Sequence, residues 1–475
     1  MSGLLLAFVI QQERCLTPLQ HISYGATIKL TSTWLKFLPA TLRAKIEHRP
    51  NLQKTLSNIG WLFGDKILRM GMGLLVGVWI ARYLGPEQFG LMNFAMAVVA
   101  LFGAVASLGL NGIVVRDLVK KPETANEILG TTILLQAIGG LLAFGLAILA
   151  ISFARPNDSL AKLLVTVLGL VMVFKATDVV KYWFESQVKS KYVVLLENGI
   201  FLVLAVVKVG LILMEASLMA FVWAAFAEGV LVAVGLLGVY AWQGGALSAW
   251  GIRYDRAKAL LKDSWPLILS GLAVMVYMRI DQIMLGQMLG DEAVGIYSAA
   301  VRISEVWYFI PMAIAASVFP SIIEAKKQSE DLYCQRIQKL YDIMVLLALA
   351  VAIPMTFLAD WVVVFLFGNE YLQAAPVLSI SIWAGVSVAL SAVHGKWLLT
   401  EGMQNYVLLY TAIGCLINIV LNMYFIKEYG VVGVAFATVA AQTLPYFLLL
   451  LTNKTRRHLI VIIRAFNLYR VMRRL

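Results

Sequence analysis

The chain consists largely of long apolar stretches separated by short polar ones, from residue 57 almost to its C terminus. Roughly 20 apolar residues in an α-helix cross the hydrocarbon layer of a membrane, which is about 30 Å thick. The pattern predicts twelve transmembrane helices, over residues 57–83, 89–115, 128–153, 160–181, 192–214, 218–242, 266–288, 295–320, 340–367, 376–399, 406–426 and 431–452. We therefore expect an all-α polytopic membrane protein.

The composition agrees with this expectation. Of the 475 residues, 61% are hydrophobic and 14% are charged, whereas a soluble domain is typically about 45 to 50% apolar and about 25% charged. The chain has no GxxxxGK[ST], HExxH or GxSxG motif, and Cys15, Cys334 and Cys415 lack the spacing of metal ligands. We expect neither an enzyme nor a metal or cofactor site, and coupling to H⁺ or Na⁺ is left open.

Basic residues are distributed unevenly between the two sides of the predicted topology. Most of the 39 Lys and Arg residues lie in the terminal segments and the even-numbered loops, whereas the odd-numbered loops hold Arg82, Arg155, Lys162 and Lys427. The positive-inside rule then puts both termini in the cytoplasm, in a multi-pass protein of the plasma (inner) membrane. Anionic lipid at the cytoplasmic surface explains the net charge of +12 without a nucleic-acid partner.

Two pairs of segments indicate an internal repeat. LGPEQFGLMNFA at 84–95 and LGDEAVGIYSAA at 289–300 share Leu, Gly, Glu, Gly and Ala in register, and EASLMAFVWA at 215–224 is similar to EYGVVGVAFA at 428–437. Six helices separate the members of each pair, and six is an even number, so both halves enter the membrane from the same side. The pattern predicts two six-helix lobes related by a parallel repeat.

The repeated LGxExxG segment is expected to turn the chain between two helices. Gly85 and Gly290 can adopt the positive φ that leaves one helix, and Gly90 and Gly295 begin the next. The predicted parts of the chain are a cytoplasmic N-terminal extension (1–54), an N-lobe (55–245), a cytoplasmic amphipathic linker (246–265), a C-lobe (266–452) and a basic amphipathic cytoplasmic tail (453–475).

Charged residues inside the predicted helices are the candidate site, because a charge at a helix centre costs roughly 2.5 to 3.5 kcal/mol on insertion scales. Such residues normally face a bundle interior or an aqueous cavity. The basic ones are Lys66, Arg69, Lys208, Arg279 and Arg302, and the acidic ones are Asp65, Glu228, Asp281 and Glu305. Two interpretations stay open for each: it lines a ligand cavity, or it pairs with a neighbouring helix.

Spacing separates charges that can pair within one helix from those that cannot. Asp65 lies four residues before Arg69, and Arg302 lies three residues before Glu305, so each pair can share a helix face and neutralise itself. These two pairs can therefore exist without a partner on another helix.

Arg279 and Asp281 are two residues apart and point to different sides of their helix, so each needs a partner on another helix or a ligand. Lys208 lies near a helix end and could snorkel to the membrane surface. Glu228, near a helix centre, could carry a proton or make a polar contact between helices. Anchoring at the membrane surface is the simpler interpretation for charged or polar residues near cytoplasmic helix ends, namely Lys175, Asp178, Lys181 and His394.

Two stretches carry a resemblance to a known family. SNIGWLFGDKILRMGMGLLVGVWIARYLGPEQFGLMNFA at 57–95 and RIDQIMLGQMLGDEAVGIYSAAVRISEVWYFIP at 279–311 resemble the first and second halves of the polysaccharide and O-antigen flippases. These belong to the multidrug/oligosaccharidyl-lipid/polysaccharide exporter superfamily. The resemblance covers about residues 55–455.

The resemblance implies two lobes that form a V around a central cavity and open alternately to the two sides. The implied cargo is an undecaprenyl-pyrophosphate-linked oligosaccharide, which moves from the cytoplasmic to the outer leaflet for polysaccharide biosynthesis. Arg69, Arg279 and Arg302 match the cavity arginines expected to bind its pyrophosphate, with Lys66 and Lys208 as further cations. The implied partners are this lipid, membrane lipids, and a polysaccharide polymerase and chain-length regulator.

Other functions predict other residues. An ion-coupled small-molecule efflux antiporter of the same superfamily would line its cavity with acids and aromatic residues, but arginines stand at three central positions of this chain. Resemblance to a peptidoglycan-precursor flippase implies fourteen helices, whereas the pattern predicts twelve. A non-transporting scaffold or polymerase is disfavoured by the duplicated lobes.

Overall fold

The structure is a computed structural model that describes residues 50–451 and 453–467, where the regular elements are all helical. The predicted N-terminal extension therefore lies outside the described residues except for its last five positions, and the predicted tail is described as far as Asn467. Within the tail, a helix packs on the second half of the chain through buried residues such as Ile462.

Sixteen α-helices run through the described part of the chain. In the first half they are α1 (Pro50–Leu101), α2 (Gly103–Ser107), α3 (Asn111–Lys120), α4 (Ala125–Ala154), α5 (Ser159–Phe174), α6 (Val179–Ser186), α7 (Lys191–Leu213) and α8 (Leu218–Trp242). In the second half they are α9 (Tyr254–Met288), α10 (Asp291–Glu305), α11 (Phe309–Gln328), α12 (Glu330–Phe367), α13 (Ala374–Ser381), α14 (Ala384–Thr400), α15 (Gln404–Thr443) and α16 (Asn453–Ala465). Short 3₁₀ segments lie at Pro122–Thr124, Lys175–Asp178, Leu247–Ala249, Asn369–Tyr371 and Leu444–Leu451.

Within the described residues, ten helical segments are long and apolar enough to cross a membrane, which confirms the expectation of an all-α multi-pass membrane protein. Two of these segments contain a glycine with non-helical backbone, Gly85 in α1 (φ 71°) and Gly430 in α15 (φ 59°). Gly290, the counterpart of Gly85 in the repeated segment, has φ 93°. All three stand where the sequence predicts a turn between two helices, and the positive φ explains why glycine occupies each position.

Helix α9 is longer than its apolar stretch. It begins at Tyr254, within the predicted linker, and continues through Pro266. Leu260 is buried among first-half residues such as Leu110 and Val114, and burial of this side chain stabilises the helical turns before the proline. The linker residues are therefore continuous with the membrane-spanning part of α9.

The buried apolar residues show where the two halves meet. One hydrophobic cluster contains residues of both halves, among them Phe89, Val294 and Tyr371. Two further clusters are separate: one holds first-half residues such as Ile128 together with Leu260 of α9, and the other holds second-half residues such as Tyr341. The halves thus share a core at the end that carries Gly85 and Gly290, which we call the Gly85 end, and have separate cores at the opposite end.

The repeated segments pack against each other at the Gly85 end, where α1 makes its most extensive contact with α10. A Cβ added to Gly90 would overlap the carbonyl oxygen of Asp291, and one added to Gly295 would overlap the carbonyl oxygen of Pro86. Gly90 corresponds to Gly295 in the repeat, and Pro86 corresponds to Asp291. The contact is therefore reciprocal, and we call these four residues the glycine crossing.

Candidate functional site

An arginine joins the two halves beside the glycine crossing. Arg155, which follows α4, donates from Nη2 to Asp291 Oδ1 (2.7 Å) and to the carbonyl oxygen of Gly286 (2.6 Å). Its Nη1 donates to Asp291 Oδ2 (3.0 Å) and Asp158 Oδ2 (3.2 Å), and its Cζ lies 3.9 Å from the centre of the Phe94 ring. Burial disfavours the cation, but the hydrogen bonds and charge of Asp291 outweigh burial, so the pKa of Arg155 is raised. We call Arg155 and Asp291 the Arg155 clamp.

Arg302 on α10 reaches across to α1. Its guanidinium fills the space beside Gly77, where a Cβ would overlap it, and its Cζ lies 5.5 Å from the centre of the Phe89 ring. Glu305 interacts with it electrostatically, but the ion pair that their spacing allows is absent from the described contacts. The guanidinium extends towards the gap at Gly77 instead of folding back along α10.

Arg279 on α9 is a second cation in the neighbourhood of Arg302. Arg279 and Arg302 are near enough to repel each other electrostatically, and Glu305 is near both. Neither arginine forms an ion pair with a residue in the described part of the chain. The structure therefore brings two predicted site residues together without a carboxylate in contact, and we call them the arginine pair.

Asp281, two residues from Arg279, is buried within the second half. Its carboxylate accepts hydrogen bonds from Tyr297 Oη (2.6 Å), Asn422 Nδ2 (2.6 Å) and Thr438 Oγ1 (2.8 Å), and Asn422 also donates to Asn418 Oδ1 (3.3 Å). The predicted need for partners on other helices is met by α10 and α15, and these partners are uncharged. Sequence reasoning missed them, although the four-residue spacing of the two asparagines puts both amides on one helix face.

Arg69 has a different set of partners. Its Nε lies 2.7 Å from Asp65 Oδ1, as the four-residue spacing allows, and its Nη2 lies 3.0 Å from Glu197 Oε2. Lys181 Nζ lies 2.6 Å from Glu197 Oε1 and 2.8 Å from Asp178 Oδ1. These five residues form one network in the first half. Arg69 therefore has carboxylate partners, unlike the arginine pair. Glu197 was missed by sequence reasoning, which had assigned Lys181 and Asp178 to surface anchoring.

The other predicted charges are paired or exposed. Lys208 Nζ lies 2.8 Å from Glu228 Oε2, which joins α7 to α8 and neutralises both groups. Lys66 is exposed, and no residue in the described ranges forms an ion pair with it. Over the same ranges, no group of three or more His, Cys, Asp or Glu side chains could hold a metal ion.

A cavity of about 560 Å³ lies between the two halves, farther from the Gly85 end than the arginine pair. Leu267, Gly271 and Met275 of α9 form one wall, so we call it the α9 cavity. Its lining is mostly apolar, and the charged residues in it are Lys175 and Asp178, in the 3₁₀ segment that follows α5.

Comparison with known sequences identifies the family. The sequence profile described as "Polysaccharide biosynthesis protein" matches residues 55–326, which is more than half of the chain. The chain belongs to this family. A second profile, MatE, matches residues 266–424.

Curated relatives carry names from glycan biosynthesis. Two proteins of Haloferax volcanii, the probable low-salt glycan biosynthesis flippase Agl15 and the probable flippase AglR, are 24% and 23% identical to this chain, and the matches cover 79% and 80% of both sequences. The succinoglycan biosynthesis transport protein ExoT of Rhizobium meliloti is 24% identical over 70% of this chain and 66% of its own length. These are names of flippases and transporters, in agreement with the expectation that the chain is not an enzyme.

Solved structures share the fold. An inward-facing multidrug resistance MATE family transporter of the MOP superfamily has a TM-score of 0.67 at 14% identity, over 86% of this chain and 96% of that chain. The lipid II flippase MurJ in its inward closed conformation has a TM-score of 0.66 at 15% identity, over 86% of this chain and 91% of that chain. The profile match shows the family that the sequence resemblance implied, and these structures show that its fold is shared.

Proposed function

We propose that this protein is a flippase that moves an undecaprenyl-pyrophosphate-linked oligosaccharide from the cytoplasmic to the outer leaflet for polysaccharide biosynthesis. The observation that carries the proposal is the arginine pair, Arg279 and Arg302, which has no carboxylate in contact within the described residues. The printed names of the Haloferax volcanii and Rhizobium meliloti relatives support the glycan part of the proposal. No observation on the described residues favours the small-molecule antiporter over it.

The chemistry of arginine suits a pyrophosphate. Each guanidinium offers several N–H donors in a planar fork that can bind two phosphate oxygens at once. Two guanidinium groups held close together repel each other, and a ligand with about two negative charges relieves that repulsion. Because Arg69 and Lys208 are already neutralised by carboxylates, Arg279 and Arg302 are the primary binding residues in this proposal, and the exposed Lys66 is a secondary one.

The proposed architecture has twelve membrane passes in two six-helix lobes that form a V. Dividing the two long segments at Gly85 and Gly430 raises the ten apolar segments to twelve, and the separate cores at the opposite end agree with two diverging lobes. The charge distribution then orients the Gly85 end to the outside and both termini to the cytoplasm of the inner membrane. A polymerase and a chain-length regulator would use the flipped product.

Transport would proceed by alternating access. A sugar head group cannot enter hydrocarbon without losing its hydrogen bonds, so it needs a polar path between the lobes while the polyprenyl tail stays in lipid. In the conformation described, the glycine crossing and the Arg155 clamp close the outer side, and the α9 cavity lies towards the cytoplasm. The outer contacts must separate before the cargo can leave.

Asp281 is the proposed coupling residue for H⁺ or Na⁺. A buried carboxylate without a cationic partner is costly in its ionised form, and protonation or a bound monovalent cation removes that cost. Asn422 and Thr438 donate hydrogen bonds to Asp281, and the buried Asn422 Oδ1 has no hydrogen-bond partner among the described residues. Glu228 is a weaker candidate because Lys208 already neutralises it.

Complementation of polysaccharide display in a flippase-deficient strain tests the proposal. We expect Arg279→Ala and Arg302→Ala each to abolish most display at unchanged membrane levels, and the corresponding Lys variants to retain part of it because the charge remains while the fork is lost. Arg253→Ala, in the exposed linker segment before α9, is the matched control. Full display with both Ala variants would refute the assignment of the arginine pair.

A further inference from the structure

The α9 cavity is lined by one charged side chain that has no partner among the described residues. Of the two charged residues in its lining, Asp178 is held by Lys181 at 2.8 Å, and Lys181 is held in turn by Glu197. Lys175 is exposed in the cavity lining, and no hydrogen bond or ion pair joins its side-chain ammonium group to the described part of the chain. The cavity therefore presents a single free positive charge.

Surface anchoring does not explain the position of Lys175. An anchoring lysine lies near the end of a membrane helix and extends its ammonium group to the lipid head groups. Lys175 lies inside the apolar segment Ser159–Ser186, well before its end, and its side chain lines a space between the two halves. The 3₁₀ segment that begins at Lys175 separates α5 from α6 at this point.

The opposite wall of the cavity leads to the arginine pair. Leu267, Gly271 and Met275 are spaced by four residues along α9, so they follow one side of the helix, and Arg279 is the next residue in that row. At about 1.5 Å rise per residue, Arg279 lies only about 6 Å along the axis beyond Met275. A ligand group in the cavity is therefore one helical turn from the arginine pair.

Small residues on the first half keep this passage open. Ala100, Gly103 and Ala104 line the first-half side of the cavity, and a Cβ at Gly103 would meet nothing within 4 Å. The two walls are closest at Ala104, where a Cβ added to Gly271 would lie 3.1 Å from Ala104 Cβ. Larger side chains here would fill the space between the lobes. The cavity thus combines a cation at one side with an apolar wall that ends at two further cations.

We propose that Lys175 is the first binding position for the phosphate group of a polyprenyl-linked cargo, which then passes to Arg279 and Arg302. Leu267 and Met275 form the apolar side of this first position, where the first isoprene unit next to the phosphate enters while the rest of the polyprenyl tail stays in lipid. The order follows from chemistry: one flexible ammonium group holds a phosphate less tightly than two guanidinium forks, so affinity increases along the path. Lys175 belongs to the first half and the arginine pair to the second, so transfer moves the anion from one half to the other. The inference rests on the proposed function.

Binding of undecaprenyl pyrophosphate to the full-length protein in lipid nanodiscs tests it, with uncharged undecaprenol as the reference lipid. We expect Lys175→Gln to slow the association of undecaprenyl pyrophosphate about tenfold, because the loss of one charge-assisted hydrogen bond weakens the first position by about that factor, and to leave undecaprenol binding unchanged. The equilibrium affinity, which the arginine pair dominates, should change less, and Lys175→Arg should keep most of the association rate. Lys162→Gln is the matched control, because Lys162 is on α5, the helix that leads to Lys175, but donates to the carbonyl oxygen of Pro156 at the Gly85 end.

A chemical version of the test uses one folded protein throughout. In a variant with the native cysteines replaced, Lys175→Cys should regain the association rate after reaction with a thiol reagent that adds an ammonium group, and not after reaction with one that adds a sulfonate. If neither reagent changes the association rate, or if Lys175→Gln associates as fast as the unmodified protein while Arg279→Ala has lost affinity, the role of Lys175 is refuted and the proposed function stands. If the unmodified protein prefers undecaprenyl pyrophosphate no more than undecaprenol, the proposed function fails first.

Discussion

The two halves of the molecule meet through backbone at the Gly85 end and leave an open space at the α9 cavity. In the glycine crossing, helices α1 and α10 approach so closely that a Cβ on Gly90 or Gly295 would overlap a carbonyl oxygen. Around the α9 cavity, small residues leave about 560 Å³ between the halves. Glycine permits backbone contact in the crossing, whereas Gly103 in the cavity lining adjoins open space, since a Cβ there would meet nothing within 4 Å.

The basic residues at the two places also differ in whether they have hydrogen-bond and ion-pair partners. At the Gly85 end, Arg155 has a complete set of partners across the halves, which holds the contact. Near the cavity, Lys175, Arg279 and Arg302 form no ion pair with described residues. A bonded arginine stabilises one conformation, whereas uncommitted cations remain available to a ligand.

The largest effect on transport is expected from adding a methyl group in the glycine crossing, which tests whether the close contact there is needed. We expect Gly90→Ala and Gly295→Ala to reduce transport more than tenfold, because the added carbon overlaps backbone that cannot rotate away, and overpacking typically costs about 1 to 3 kcal/mol. Polysaccharide display and membrane protein level are the measurements.

Gly112→Ala is the matched control, since a Cβ at Gly112 meets open space. Replacing glycine by alanine in an unobstructed helix is favourable by roughly 0.5 to 1 kcal/mol, so this variant should transport normally. Equal activity of all three variants would mean that the close contact at the crossing is not needed.

Removing the Arg155 clamp should loosen the outer contact with a smaller effect than the crossing variants. Arg155→Ala leaves Asp291 and the carbonyl oxygen of Gly286 without their donor, but it displaces no backbone, and Asp291 is partly accessible to water. We expect more labelling of a cysteine at Val78, buried in the shared core, by a membrane-impermeant thiol reagent added from outside.

The exchanged pair Arg155→Asp with Asp291→Arg is expected to restore part of the protection, because it returns opposite charges to the two positions. Labelling that stays low in Arg155→Ala would show that the clamp does not hold the outer side closed.

Asp281→Asn should affect ion dependence. Asparagine has nearly the same size and keeps one acceptor oxygen but carries no charge, so transport is expected to lose its response to Na⁺ or pH. Glu228→Gln, which removes the partner of Lys208 between α7 and α8, should keep that response at a lower rate. Transport is measured over a range of Na⁺ concentrations and over a range of pH. If transport by Asp281→Asn responds to both as the unmodified protein does, Asp281 is only a contact between helices.

The smallest effect on transport is expected from cysteine labels that test which end of the molecule faces the outside and which faces the cytoplasm. Cysteines at Asn157, beside the Arg155 clamp, and at Lys327, at the end of α11, are both exposed and should leave transport unchanged. Impermeant reagents should reach Asn157→Cys from outside and Lys327→Cys from the cytoplasm. Labelling of both from one side would contradict the proposed topology.

Sequence patterns could predict the membrane class and the turns, but not the contacts between helices. Apolar length indicates where helices cross, and the LGxExxG spacing indicated Gly85 and Gly290, which have the expected positive φ. Periodicity assigns residues to a face of their own helix, and it does not say which faces meet. For this reason the pairing of Asp65 with Arg69 could be foreseen, whereas the partner Glu197 could not.

The same limit applies to the candidate site. Asp281 could be identified as a buried carboxylate that needs partners, but the distance along the chain to Asn422 and Thr438 hid their identity. Arg302 and Glu305 share a helix face, yet the guanidinium occupies the space beside Gly77, on a helix that is far away in the sequence. Tertiary packing decides between the partners that local spacing allows.

Flipping by purified protein in liposomes tests the central claim most directly. Vesicles with an undecaprenyl-pyrophosphate-linked oligosaccharide in both leaflets are treated with an external glycosidase, which at first reaches only the outer half. The account predicts that the unmodified protein and Arg253→Ala make the inner half accessible over time, whereas Arg279→Ala and Arg302→Ala leave it protected. Equal exposure by all four proteins would contradict the assignment of the arginine pair to the pyrophosphate.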